Sequence, residues 1–225
     1  MQWVIGWWQI SIQRVCPTND QLRQMYNKAA PRWHAYLQLF GYHRAYVKLF
    51  RSLQKSGMLT LSDRSSVCDC GIGTGALSLA LAQTVDHLKI VGVDISPEML
   101  AKAHQLLNQA GVNHQVYQGN VRLLPFHDNT YDLVMSAHML EHLPNPDRGL
   151  LEMVRVLRPK APLIVVVTLP GLLGSLIQLQ WGNACLTPEI LVEMMTKAGL
   201  TDIHCYSLTN GFPRWSSIAC LGFKQ

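Results

Sequence analysis

The sequence predicts a doubly wound α/β protein: a mostly parallel sheet with helices on both faces, a helical segment before it and an antiparallel hairpin at its end. Three observations carry that reading. From residue 65 onward, short apolar runs rich in β-branched residues alternate with helical patterns, the rhythm of parallel strands joined by crossover helices. The first run, VCDC (67–70), opens directly into the glycine turn GIGTG (71–75). After the last helical pattern come two strand-like runs, 203–208 and 216–223, around the turn-rich TNGFPR (209–214), which is a hairpin signal.

The elements follow in order. Thr18, Asn19 and Asp20 offer helix-capping oxygens, and Leu22, Met25, Tyr26 and Ala29 recur at helical spacing. Pro31 is expected to break that helix and start another, which carries Trp33, Tyr36, Leu37, Phe40, Tyr46 and Phe50 to about Gly57. Residues 1–60 then read as a helical cover without a core of its own, and 61–225 as the ligand-binding domain. Strands are expected at 67–70, 89–94, 114–118, 131–137 and 162–168, with helices at 76–85, 97–111, 147–157 and 188–199. PLIVVVT (162–168) is apolar throughout, as a strand buried on both faces should be.

Composition sets bounds. The chain has 225 residues, 48% hydrophobic and 15% charged, with net charge +5, which fits one globular domain. No run of basic residues tracks a phosphate backbone, so no nucleic-acid partner is expected. The six cysteines contain no CxxC pair. They are read as free thiols in a reducing, cytoplasmic setting. The first residues are unusual. The apolar stretch Trp3–Ile12 is too short to span a bilayer, which needs about 20 residues. Its Trp3, Trp7 and Trp8 are candidates for weak peripheral membrane contact.

Ligands of open α/β sheets sit beyond the carboxyl ends of the strands. Gly71, Gly73 and Gly75 lie at the first such end, where a backbone must turn sharply and let a ligand approach. Asp94 ends the second strand, 25 residues after Asp69, and a carboxylate there can accept the hydroxyl hydrogens of a ribose. Together they imply a cofactor containing adenosine. A nicotinamide-dependent oxidoreductase is the rival, since Gly71, Gly73 and Ala76 also satisfy the looser dinucleotide pattern. Asp69 argues against it, because a carboxylate two residues before the turn suits a ligand ammonium and repels a pyrophosphate.

At this point the sequence resembles the class I S-adenosylmethionine-dependent methyltransferases, particularly the small-molecule branch similar to the ubiquinone and menaquinone biosynthesis enzymes. The matching stretches are VCDCGIGTGALSLALA (67–82), VGVDISPEML (91–100), GNVRLLPFHDNTYDLVMSAHMLEHLPNP (119–146) and LLEMVRVLRPKAPLIVVV (150–167). The resemblance implies a Rossmann-like, seven-stranded sheet with its last strand antiparallel. It implies that Asp69 and Gly71 to Gly75 hold the methionine end of S-adenosylmethionine, and that Asp94 takes the ribose, with Ile95 and Met99 near the adenine. Asn120 stands where many relatives carry Asp beside the adenine amino group. An amide oxygen accepts the same hydrogen bond. Val121 would offer its backbone N–H, and Ser136 would end the fourth strand beneath the sulfonium.

His138, Glu141 and His142 follow that strand as candidate bases, His138 and His142 foremost. HMLEH (138–142) also matches a zinc-peptidase pattern, but Pro144 and Pro146 leave no helix to present both histidines, so no metal is expected. Tyr26, Trp33 and Tyr36, with Trp181 from the apolar stretch 170–186, are candidate acceptor contacts and hint at an aromatic or lipid-like small molecule. The readings left open are a small-molecule methyltransferase, an oxidoreductase and a non-catalytic cofactor-binding scaffold.

Overall fold

A computed structural model describes residues 18–225 together with the backbone of Gln2–Ile5 and Trp8–Ser11. Those two short runs pair antiparallel as β1 (Gln2–Ile5) and β2 (Trp8–Ser11). Trp7 and the side chains of Trp3 and Trp8 lie outside the described residues, and with them the proposed bilayer contact.

Helix α1 (Asn19–Leu39) begins in a capping box, in which Thr18 and Gln21 satisfy each other's backbone N–H groups. It runs straight through Pro31, contrary to expectation. An internal proline costs about 3 kcal/mol, but α1 buries Leu22, Ala30 and Leu37. Each large apolar side chain so buried returns about 1.5–3 kcal/mol. The break comes at Gly41 instead, whose φ of +81° begins α2 (Tyr42–Lys55).

The main sheet has seven strands: β3 (Ser66–Cys70), β4 (Lys89–Asp94), β5 (Asn113–Gln118), β6 (Leu133–Ala137), β7 (Pro162–Thr168), β8 (Leu200–Ser207) and β9 (Ser217–Lys224). Their spatial order is β5-β4-β3-β6-β7-β9-β8. All neighbours run parallel from β5 to β7, and β9 is antiparallel to both β7 and β8. The strand that runs against the rest therefore sits one place in from the edge. The order reverses between β3 and β6, which locates the ligand crevice at their carboxyl ends.

Alternating residues of the central strands feed two cores. Cys68, Cys70, Val165 and Val167 meet α5 (Pro146–Val156) and α7 (Pro188–Lys197) on one face. Val67, Leu133, Ile164 and Val166 meet α2 and α3 (Ala76–Ala82) on the other. Helix α4 (Pro97–Gln109) lies against β5 and α1, and α6 (Leu172–Trp181) occupies the apolar stretch after β7. A short α8 (Pro213–Ser216) fills the hairpin turn. Gly92 on β4 has a local reason: a Cβ there would come within 2.4 Å of Ile72 Cδ1, where the glycine turn folds back over the strand.

One expectation about cysteine is corrected. Cys205 and Cys220 form a disulfide. They are direct partners in the β8–β9 register, so the hairpin brings them face to face. Cys68 and Cys70 are buried free thiols.

Candidate active site

The crevice is built outward from the glycine turn. Gly71 and Gly73 take positive φ (+76° and +53°), which glycine adopts at no steric cost. Gly71 and Ile72 donate their N–H groups to the Val93 carbonyl, tying the turn to β4. A Cβ on Gly71 would meet Met139 Cγ at 2.4 Å, whereas one on Gly73 would meet nothing nearer than Trp33 Nε1 at 3.9 Å. Gly71 is thus fixed by the loop after β6, and Gly73 by the open space in front of it.

That space is a cleft of about 970 Å³ including its mouth, at the upper end of the range for small-molecule sites. Asp69, Gly71, Gly73, Asp94, Ile95, Met99, Asn120 and Val121 all line it, as do Tyr26, Trp33, His138 and His142. Gly75 and Ser136 do not. Gly75 caps α3 with φ +81° and lies against Ala103 and Leu107 of α4. Ser136 is buried and donates to the Cys70 carbonyl at 2.7 Å.

The two acids differ in setting. Asp94 is partly buried, and each of its oxygens accepts one backbone N–H, from Gly73 and from Ser96, both at 2.9 Å. Burial raises its carboxyl, and those bonds oppose the rise. Asp69 is fully buried and accepts the Ser78 hydroxyl at 2.6 Å. Burial, helped by the nearby charge of Asp94, pushes it up to about 7. Asn120 turns its side-chain oxygen to the Arg122 N–H at 3.0 Å. Arg122 in turn reaches Asn19 on α1 at 3.1 Å.

A second cavity of about 440 Å³ adjoins the first and shares Tyr26, Trp33, Leu37, His138 and His142 with it. Tyr36 and Trp181 line this one. Trp33 and Trp181 meet edge to face at 4.8 Å, while Tyr26 lies nearly parallel to Trp181. Tyr42, Thr168 and Asn183 complete the wall. Sequence reasoning missed all three, although Thr168 ends a central strand on the side where ligands bind. It also missed Thr74, which lines the first cleft and whose buried hydroxyl has no partner among the described residues.

His138 stands where the cavities meet. Its backbone is left-handed (φ +54°), and its N–H donates to the Val166 carbonyl at 2.8 Å. Nδ1 lies 3.1 Å from Thr168 Oγ1 and 3.3 Å from Glu141 Oε1, while the buried Nε2 has no partner among the described residues. Glu141 is buried and also accepts the Thr168 N–H and hydroxyl. Burial pushes its carboxyl up, but His138, His142 and Thr168 outweigh that and hold it below the usual range. Since Glu141 only accepts, and Thr168 spends its own proton on Glu141, His138 Nδ1 must carry the ring proton. In the neutral ring that leaves Nε2 as a lone-pair acceptor. His142 Nε2 bonds the Tyr26 hydroxyl at 2.8 Å. Among the described residues no group of His, Cys, Asp and Glu side chains is arranged to hold a metal ion, and no helix is long and apolar enough to cross a membrane.

Comparison with known proteins agrees with this geometry. Residues 67–160 match a methyltransferase-domain family. The demethylmenaquinone methyltransferase of Lactiplantibacillus plantarum is 36% identical over 131 residues, 57% of this chain and 53% of that protein. The ubiquinone/menaquinone biosynthesis C-methyltransferase UbiE of Hahella chejuensis is 36% identical over 133 residues, 58% of this chain and 51% of that one. The matched stretch thus spans about half the length of these relatives. Among solved structures, magnesium protoporphyrin IX methyltransferase from Synechocystis with bound SAH superposes with a TM-score of 0.74 at 17% identity, over 92% of this chain and 100% of that one. The [4+2]-cyclase SpnF does so at 0.75 and 18%, over 93% and 97%. A cyclase on the same scaffold shows that the fold alone does not name the reaction. Residues 67–160 thus carry the match to a methyltransferase-domain family, and the solved structures share the fold of the whole sheet.

Proposed function

We propose that this protein binds S-adenosylmethionine in the larger cleft and transfers its methyl to a small aromatic, lipophilic acceptor held in the adjoining cavity. The observation that carries the reading is that His138, whose buried Nε2 has no partner among the described residues, lines both cavities. The cleft suits the donor on several counts. Gly73 leaves its wall open, Asp94 is pinned where a ribose would rest, Thr74 holds an unused buried hydroxyl, and Asp69 supplies a carboxylate for an ammonium. Gly71, Ile95, Met99, Asn120 and Val121 would complete the cradle. Gly75 and Ser136 would support it from behind.

When bound, the donor supplies a methyl already activated by positive sulfur. The chain's task is alignment, together with removal of any acceptor proton. His138 Nε2 would take that proton, its ring held by Thr168 and Glu141, and Tyr26, Trp33, Tyr36 and Trp181 would clamp the acceptor ring. His142 would anchor Tyr26. The relatives named for demethylmenaquinone and for 2-methyl-6-phytyl-1,4-hydroquinone support a quinol-like ring as acceptor and carbon as the methylated atom. A nicotinamide cofactor finds less support, because Asp69 would oppose its pyrophosphate.

Titration calorimetry tests the donor half. The protein should bind S-adenosylmethionine with heat and show none with NAD. Asp94→Ala should weaken the donor about tenfold or more, since hydrogen bonds to a charged group contribute about 1.5–3 kcal/mol. Binding of NAD in its place would end the proposal.

A further inference from the structure

Two exposed stripes outside the site belong to one surface. On α2 the outward residues Arg44, Lys48, Arg51 and Lys55 recur at helical spacing. Residues 19–55 hold seven basic residues against one acid, Asp20, so the net charge of +5 is concentrated in these two helices. On α6, a helix without one charged residue, Leu172, Leu176 and Leu179 fall on one face and are 89%, 62% and 73% exposed. The opposite face sends Ile177 and Trp181 into the aromatic cavity.

Helix α8 joins the stripes. It touches both α2 and α6. Lys48 Nζ donates to Asn210 Oδ1 at 3.0 Å, just before α8. Phe212 meets Phe40 beside the 82%-exposed Leu39. Trp215 stands 67% exposed with the Arg214 guanidinium 4.9 Å over its ring.

We infer that this surface docks on an anionic lipid bilayer, with the leucines of α6 and Trp215 entering the headgroup layer and the α2 cations meeting lipid phosphates. A helix of ten residues cannot span, but an apolar face beside basic residues and an interfacial tryptophan suits shallow insertion. A nucleic acid would use the cations and leave the leucines in water. Docking would place α6 as a thin wall between lipid and the aromatic cavity, giving a lipophilic acceptor a short path to His138. That purpose rests on the proposed methyl transfer, but the docking does not.

The test is cosedimentation of the full chain with vesicles of phosphatidylcholine alone, or of phosphatidylcholine and phosphatidylglycerol in equal parts. The protein should pellet with the anionic vesicles and be released by salt. The triple variant Arg44→Glu, Lys48→Glu, Arg51→Glu should weaken partitioning by about fivefold or more per residue. Leu172→Ser, Leu176→Ser, Leu179→Ser should abolish retention at high lipid. Both variants should bind S-adenosylmethionine as the parent does, so loss of docking is separable from failure of the cofactor reading. Absence of vesicle binding, binding indifferent to both variants, preference for an oligonucleotide, or a dimer that only the leucine variant dissociates would each overturn the inference.

Discussion

His138→Asn should lower turnover by about 10²–10⁴-fold, the usual contribution of a positioned general base, while affinity for the methyl donor stays unchanged. Asparagine is chosen because it tolerates the left-handed backbone at this position, so the loop after β6 should keep its shape. It cannot, however, accept a proton at neutral pH. Only the His138 Nδ1 side is occupied, by Thr168 and Glu141, so deletion of the ring removes an unpartnered acceptor from a residue that lines both cavities. A structural role predicts a different outcome, in which donor affinity and thermal stability fall together with rate. The decisive readout is the pH profile of kcat. Its acidic limb should be present in the parent and absent from the variant, and a rate loss below tenfold with that limb intact would remove His138 from the chemistry.

Asp69 should make both stability and donor affinity depend on pH, in opposite directions. Its carboxyl is raised by burial to about 7, so between the ordinary carboxylate range and pH 7 the native state holds a proton that the unfolded state has lost. Stability of the unliganded protein should therefore be full at low pH and fall as pH rises through that window, by up to about 4 kcal/mol. A ligand ammonium needs the ionised form. Donor affinity should rise with pH towards 7, and binding below 7 should expel a proton, visible as calorimetric heats that change with the buffer. Asp69→Asn should flatten both profiles, leaving the unliganded protein more stable at pH 8 and the donor about 10–150-fold weaker there. A parent whose affinity ignores pH would show that Asp69 does not meet the ammonium.

What the sequence made legible is what local physics encodes. The glycine turn, the acids at successive strand tips and the helix starts near Thr18, Pro97 and Pro188 are set by residues within a few positions of one another. Strand periodicity likewise gave the sheet its count and the hairpin its place. The base and its supports were less readable. His138 could be named as a candidate, but Tyr42 and Thr168 reach it from two distant elements and Asn183 bonds Glu141 beside it, and no spacing announces that meeting. Pro31 misled because tertiary burial of Leu22 and Leu37 outweighs a local penalty. The Cys205–Cys220 bridge was hidden because the turn of 209–214 conceals a short helix, so the strand register could not be counted across it. The basic stripe of α2 was overlooked for a simpler reason: cations three and four residues apart make no run in the sequence, yet form a line on the helix.

Helix α1 couples the two cavities. Asn19, Leu22, Tyr26 and Trp33 roof the larger cleft, and the helix is latched by Tyr26 to His142 and by Asn27 to Ser96. Its aromatic residues also form half of the smaller cavity. A donor bound as proposed would touch the same helix that shapes the acceptor cavity. Tyr26→Phe, which removes the bond to His142, should therefore disturb donor and acceptor affinity together.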